Sequence, residues 1–179
     1  MNESKGENPL FYIFERIGEI VNLLLKTLYW SKTAVHNSKH IIRQISEVGI
    51  DSIPVVSLVA VFIGMVMGLQ AGHELLKFQA QEFLGVGVAA TLVRELGPVL
   101  TGLIVAGRAG AAMTAEIGTM QVSEEIDALR SMAIDPVKYL VMPRFIASII
   151  VLPLLTVLTD ILGISGGFLI GRVQLNVKL

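Results

Sequence analysis

Residues 53–70 read Ile-Pro-Val-Val-Ser-Leu-Val-Ala-Val-Phe-Ile-Gly-Met-Val-Met-Gly-Leu-Gln, and no charged side chain lies between Asp51 and His73. Eighteen helical residues rise about 27 Å, close to the hydrocarbon thickness of a bilayer. Hydrocarbon offers no water to an unpaired amide, so such a stretch satisfies its backbone by forming a helix. The whole composition agrees: 53% of the 179 residues are hydrophobic and 16% charged, whereas soluble domains carry about 25% charge. The apolar excess is aliphatic and small, with 17 Gly and 6% aromatic residues. These figures exclude a disordered, collagen-like or disulfide-scaffolded chain. The expected class is an all-α integral membrane protein.

Outward from that span, Ala71–Glu82 reads as a short polar loop. Phe83–Met120 is apolar for 38 residues, about 57 Å as one straight helix, so it is expected to be broken, tilted or partly re-entrant. Gly97-Pro98 is the expected break, because proline removes a backbone donor and disfavours helix in the residue before it. Gln121–Arg144 is polar, and Phe145–Gly171 can cross once with a kink at Pro153. On the other side, residues 31–52 read as a basic connector with Lys32, Lys39 and Arg43. Before it, Leu10–Trp30 places Glu15, Glu19, Asn22 and Lys26 on one helical face. Phe11, Phe14, Ile17, Val21, Leu24, Leu25 and Leu28 lie opposite. That pattern predicts a helix lying in the membrane interface and closing at Tyr29-Trp30, or else an amphipathic helix packed on the protein's own surface. The organisation is thus an interfacial helix and connector over 1–52 and a transmembrane domain over 53–179.

Lys and Arg are distributed six in 1–52, one in 71–82, three in 121–144 and two in 172–179. The positive-inside rule then puts the N-terminus and the 121–144 segment in the cytoplasm, with three crossings between. Residues 1–9 are polar and of mixed charge, neither a secretory signal nor an Arg-rich transit peptide. Net charge is −1, which implies no surface for nucleic acid, and the absence of Cys excludes thiolate chemistry.

No catalytic constellation stands out. Gly102-Leu-Ile-Val-Ala-Gly107-Arg108-Ala109 has the spacing of a phosphate-binding loop but lacks its Lys and its Ser/Thr. His36 and His40 have the spacing of a helical metal pair but no third ligand. Small residues are better organised. Gly64/Gly68, Gly102/Ala106/Gly110/Thr114/Gly118 and Gly163/Gly167/Gly171 recur every four residues, stripes that let membrane helices approach closely within a chain or between subunits. Arg94-Glu95, Arg108, Glu116 and Asp160 interrupt apolar runs, and such residues face a cavity or a partner, neutralise each other, or snorkel to a nearby interface. Asp160 has no basic neighbour in sequence, so it needs a distant partner or a proton. In the cytoplasmic segment, Ser123 reads as an N-cap followed by Glu124 and Glu125. Ile126, Leu129, Met132 and Ala133 form an apolar stripe, and Asp135-Pro136 is expected to stop the helix. A helix so short and acidic suits docking to a cytoplasmic protein.

The run Arg94-Glu-Leu-Gly-Pro-Val-Leu-Thr-Gly-Leu-Ile-Val-Ala-Gly-Arg-Ala-Gly-Ala-Ala-Met-Thr-Ala-Glu-Ile-Gly-Thr-Met120, with Glu125-Ile-Asp-Ala-Leu and Ile134-Asp-Pro136, resembles the MlaE/YrbE-type permeases. The likeness extends from about Val48 to Thr156. It implies the membrane subunit of an ABC transporter that moves phospholipids between membranes. Its implied partners are a second permease copy, a separate ATPase that carries the ATP and magnesium, and an MCE-domain lipid-binding protein. By the same resemblance Ser123, Glu124, Glu125, Asp127 and Arg130 dock on the ATPase. The lipid pathway maps to Met67, Leu75 and Phe78, with Arg94 and Glu95 nearby. The implied location is a bacterial inner membrane or a plastid envelope, and the chain itself holds no cofactor, metal or catalytic centre. Members of that family continue past the last segment here, so 1–179 is expected to be the N-terminal portion of a longer permease. Two other classes remain open: a secondary transporter using the intramembrane charges, and a membrane scaffold built on the glycine stripes.

Overall fold

A computed structural model describes residues 9–31 and 38–174, and the described secondary structure is helical. The helices are α1 (Pro9–Ser31), α2 (Ser38–Gly49), α3 (Ile53–Lys77), α4 (Leu84–Thr91), α5 (Gly97–Val122), α6 (Glu125–Ser131) and α7 (Met142–Gln174). His36, Lys32 and Lys178 lie outside the described residues. A 3₁₀ turn at Ile50–Ser52 joins α2 to α3, and a π-helical turn at Leu92–Leu96 joins α4 to α5. A second π turn at Val137–Val141 leads into α7. The result is three continuous rods, Lys39–Lys77, Leu84–Val122 and Val137–Val173, each long and apolar enough to cross a membrane.

Two of these rods are 39 residues long, about 58 Å and nearly twice the hydrocarbon thickness. Side-chain pairing shows where the excess lies. Arg108 on α5 donates to the Ser52 hydroxyl at 3.0 Å and lies 3.8 Å from the Asp51 carboxylate. The middle of α5 is therefore level with the polar start of α3. About 12 Å further along α5, Glu116 forms an ion pair with Arg144 in the first turn of α7. Below the Asp51 level, α2, the second half of α5 and the start of α7 form a polar-faced base beneath the hydrocarbon. The long stretch from Phe83 is thus neither broken nor re-entrant; it crosses and continues. Arg108 and Glu116, expected in hydrocarbon, belong to the base.

Gly97-Pro98 does not interrupt the rod. The Gly97 N–H donates to Leu92 O, five residues back, and Pro98 then sits in the first turn of α5. The extra residue of a π turn absorbs the donor that proline lacks and relieves its ring from the preceding turn. Two boundaries also move. The basic connector is helical from Ser38, held by an Arg43–Glu47 pair four residues apart, with Val48 buried. Past Gln70, α3 continues to Lys77, where Lys77 pairs with Glu74.

The crossings are joined by backbone contact. α3 and α7 run parallel, with Gly64 facing Gly163 and Gly68 facing Gly167. A Cβ added at Gly64 would overlap the Gly163 carbonyl, and one at Gly166 would reach Val61 O. Such proximity gains van der Waals contact where lipid removes any hydrophobic drive. Leu84, Val88 and Leu92 then close over Ile63, Met67, Ala71, Leu75 and Ile164. Deeper in the bundle the buried hydroxyls of Thr101 and Thr159 meet at 2.8 Å. At the base Val48, Val105, Ala109, Val151 and Leu155 form a second core. The third stripe behaves differently: a Cβ added at Gly102, Gly110 or Gly118 meets nothing within the described residues. Helix α1 is exposed at every described residue from Ile13 to Lys26 and buries only Thr27 near its end. Among its described side chains, only those of the last turn are buried against the rest of the protein.

Gly64→Ala is expected to force α3 and α7 apart and to lower stability by about 1–3 kcal/mol, the usual cost of overpacking. Gly87→Ala, where a Cβ meets nothing among the described residues, is expected to keep or slightly raise it, since Ala favours helix over Gly. Thermal unfolding of both variants in detergent measures the difference.

Candidate functional site

The cytoplasmic end of the bundle carries α6, which spans Glu125–Ser131 rather than starting at Ser123. Ser123 is not its N-cap. The Ser123 hydroxyl donates back to Thr119 O at 3.0 Å and so finishes α5. Glu124 makes the corner between the helices in the left-handed region, at φ 61°. At the other end Ala133 is also left-handed, at φ 58°. A non-glycine residue costs about 1–2 kcal/mol in that region, so α6 is held between two strained corners. Glu124, Glu125, Asp127 and Arg130 are all exposed, with Arg130 paired to Asp127 at 3.2 Å. Of the expected apolar stripe, Ile126 is buried, while Met132 is 61% exposed and Val122, at the end of α5, 86% exposed. The helix thus presents acids and an apolar rim outward and is anchored inward by Ile126.

Asp135-Pro136 starts the next helix rather than stopping α6. Asp135 Oδ1 accepts the Val137 N–H at 2.9 Å, and Pro136 precedes the π turn into α7. Proline suits that entry because its missing donor would be unpaired there in any case.

The residues assigned to a lipid pathway divide into two groups. Met67 and Leu75 pack against the Leu84–Val88–Leu92 cluster, inside the α3–α4 contact. Phe78 is 75% exposed, just past the end of α3. Arg94 and Glu95 lie in the π turn and are exposed on the surface of the bundle. Among the described residues neither has an ion pair or a side-chain hydrogen bond. Asp160 of α7 packs against Gly97, where a Cβ would meet its carboxylate, and its Oδ1 is buried without a hydrogen-bond partner among the described residues. The π turn therefore sits where one charged pair faces outward and one acid faces inward.

Neither Arg144 nor the pairing of Trp30 is marked as functional by the sequence. The Arg144 side chain is 7% exposed and bonds only Glu116 of α5 among the described residues, leaving Nε and Nη1 buried and unpartnered. It borders a cleft of about 260 Å³ with His40, Arg43, Gln44, Glu116 and Tyr139. Trp30 Nε1–H donates to Asp135 at 3.1 Å across 105 residues. No local spacing could announce either contact.

Comparison with known proteins bears on the same residues. The family profile described as Permease MlaE matches residues 41–179. A probable ABC transporter permease protein of Rickettsia typhi is 48% identical over 136 residues, covering 76% of this chain and 52% of the relative. The intermembrane phospholipid transport system permease protein MlaE of Haemophilus influenzae is 46% identical over 131 residues, covering 73% and 50%. The chloroplastic protein TRIGALACTOSYLDIACYLGLYCEROL 1 of Arabidopsis thaliana is 37% identical over 163 residues, covering 90% and 44%. The chain spans about half the length of these curated relatives.

Glu116→Gln is expected to leave the Arg144 guanidinium without its counter-charge and to cost about 2 kcal/mol. Combining it with Arg144→Met is expected to recover part of that loss, since an apolar isostere carries no desolvation penalty. Thermal unfolding of the single and double variants in detergent provides the comparison.

Proposed function

We infer the function from one premise: this chain belongs to the MlaE permease family. It is an integral membrane protein, and on our reading it is the membrane-spanning part of an ATP-driven phospholipid transporter. It binds lipid and couples to a separate ATPase, which carries the ATP and magnesium. The observation that carries this reading is the placement of α6. A seven-residue helix with outward acids and an apolar rim emerges between two crossings at the end where Lys and Arg concentrate. Such a helix can be pushed by a cytoplasmic partner and has no role within hydrocarbon. Glu124, Glu125, Asp127 and Arg130 supply the polar contacts to that ATPase, and Ser123 fixes the corner at which α6 leaves α5.

Arg94 and Glu95 support the choice of substrate. An outward-facing guanidinium near mid-membrane costs roughly 2.5–3.5 kcal/mol by insertion scales. A phosphate brought beside it offsets that cost through charge-assisted hydrogen bonds. Phe78, at the outer end of α3, and the Met67–Leu75 face supply apolar surface for acyl chains. The open α5 stripe fits a second permease copy, whose approach would enclose the lipid between two such surfaces. An MCE-domain protein would receive or deliver lipid at the far end. The setting is a bacterial inner membrane, with a plastid envelope as the equivalent in plant relatives. A secondary transporter or a bare scaffold leaves the acidic, outward face of α6 without a purpose.

Replacing Glu124, Glu125 and Asp127 together with Ala is expected to abolish co-purification of the ATPase while membrane insertion persists. Undiminished co-purification would remove α6 from the docking role. Arg94→Ala is expected to leave the ATPase bound and to slow ATP-dependent transfer of anionic phospholipid between reconstituted vesicles by roughly tenfold or more. Transfer at the wild-type rate would sink the headgroup assignment.

A further inference from the structure

Trp30 is the only tryptophan in the chain, and it ends α1 against the loop that follows α6. Its Nε1–H donates to Asp135 Oδ2 at 3.1 Å, and Lys138 Nζ lies 4.7 Å from the centre of its ring. Asp135 divides its carboxylate between two elements, since Oδ1 holds the Val137 N–H at 2.9 Å and so fixes the entry to α7. Tyr139, two residues on, meets the His40 ring of α2 edge-on at 5.1 Å. One short loop thus gathers α1, α2, α6 and α7, and Trp30 borders a cleft of about 380 Å³ in its surface.

This contact and the buried Thr27 hold the end of α1. From Ile13 to Lys26 every residue of α1 is exposed; Thr27 is buried and Trp30 partly so. Among the described residues, α1 is buried against the bundle only near its last turn. Its exposed Phe14, Ile17, Val21, Leu24 and Leu28 suit the headgroup boundary of the cytoplasmic leaflet. At the other side of the contact Ala133, two residues before Asp135, is one of the two strained corners that bound α6. A load on α6 therefore bears on the Ala133 corner and, through it, on Asp135. An indole bonded to a carboxylate and stacked under an ammonium is a charge-assisted, directional link that resists slipping.

We propose that Trp30, Asp135 and Lys138 form a latch through which movement of α6 is transmitted to α1. ATPase docking then shifts the amphipathic helix within the leaflet as well as the membrane crossings. Asp135 is a positioning residue that touches neither lipid nor nucleotide. The proposal rests on reading the chain as an ATPase-coupled permease, and its test separates the two.

The 179-residue chain, in which Trp30 gives the single fluorine resonance, is produced with 5-fluorotryptophan and reconstituted with its ATPase in lipid nanodiscs. The resonance is expected to shift when the ATPase binds and again when ATP is added. Asp135→Asn keeps an oxygen for the Val137 N–H but removes the anionic acceptor of the indole. It is expected to move the resting resonance, erase the ATP response and lower the lipid transferred per ATP hydrolysed about fivefold or more, with the ATPase still bound. Trp30→Phe is expected to lower the same ratio, and it decides the coupling arm if Asp135→Asn fails to insert. A wild-type resonance indifferent to ATP, or an unchanged lipid-to-ATP ratio in the variants, overturns the latch. A wild-type complex that shifts its resonance with ATP yet transfers no phospholipid refutes the substrate reading while supporting the latch.

Discussion

The backbone contact between α3 and α7 at Gly64 and Gly163 is the constraint on which the rest of the fold depends. Within hydrocarbon there is no hydrophobic drive to pack one apolar helix against another. What holds these two together is the number of atoms brought to van der Waals distance, and that number is large only because no Cβ stands between them. Their close approach sets the register by which Thr159 reaches Thr101 and by which Asp160 lies against Gly97. Gly97 has to be glycine for that reason, and the π turn beside it is what lets a proline-bearing helix pass the same point without breaking. The outward aim of Arg94 and Glu95 thus follows from a packing requirement on the opposite side of their helix.

Below the membrane the binding logic reverses. The base is held by polar contacts, Arg108 to Ser52 and Asp51 and Arg144 to Glu116, arranged around an apolar core at Val48, Val105 and Val151. These cross-links tie α5 to α3 and to α7 at two depths. A load applied to α6 therefore reaches both neighbouring crossings together instead of bending one of them.

Much of this was legible in one dimension. Hydropathy and length identify three crossings, the four-residue repeats identify which helix faces are smooth, and the acids after Val122 mark a helix that does not enter the membrane. The same signals fail where a partner must be chosen. Three glycine stripes read alike, yet two face each other and the third meets nothing among the described residues, because periodicity describes a surface and not what meets it. Arg108 and Glu116 read as buried charges because apolar composition continues past the point where the helix leaves the lipid. Only their partners, Ser52 being 56 residues away from Arg108, reveal the level of the boundary. Ser123 looked like a cap because its type and position fit one. The direction of its hydroxyl was settled by the end of α5, which claims it first. Trp30 and Asp135 could not be joined by any pattern, since each belongs to a locally complete motif of its own.

The two strained corners at Glu124 and Ala133 acquire a purpose in this frame. Left-handed backbone at an exposed glutamate and an alanine costs energy that glycine would have spared. Glycine there would also let α6 swing without moving its neighbours, because a freely rotating corner transmits no torque. A corner that is costly in one conformation and worse in the others behaves as a stiff joint. With Ile126 buried beneath it and Asp135 bonded to Trp30 and to the Val137 N–H beyond it, α6 is tied through its neighbours to α7 and to the end of α1. The strain is thus located at the two ends of α6, where stiffness holds the helix in a fixed orientation to α5 and to the Asp135 loop.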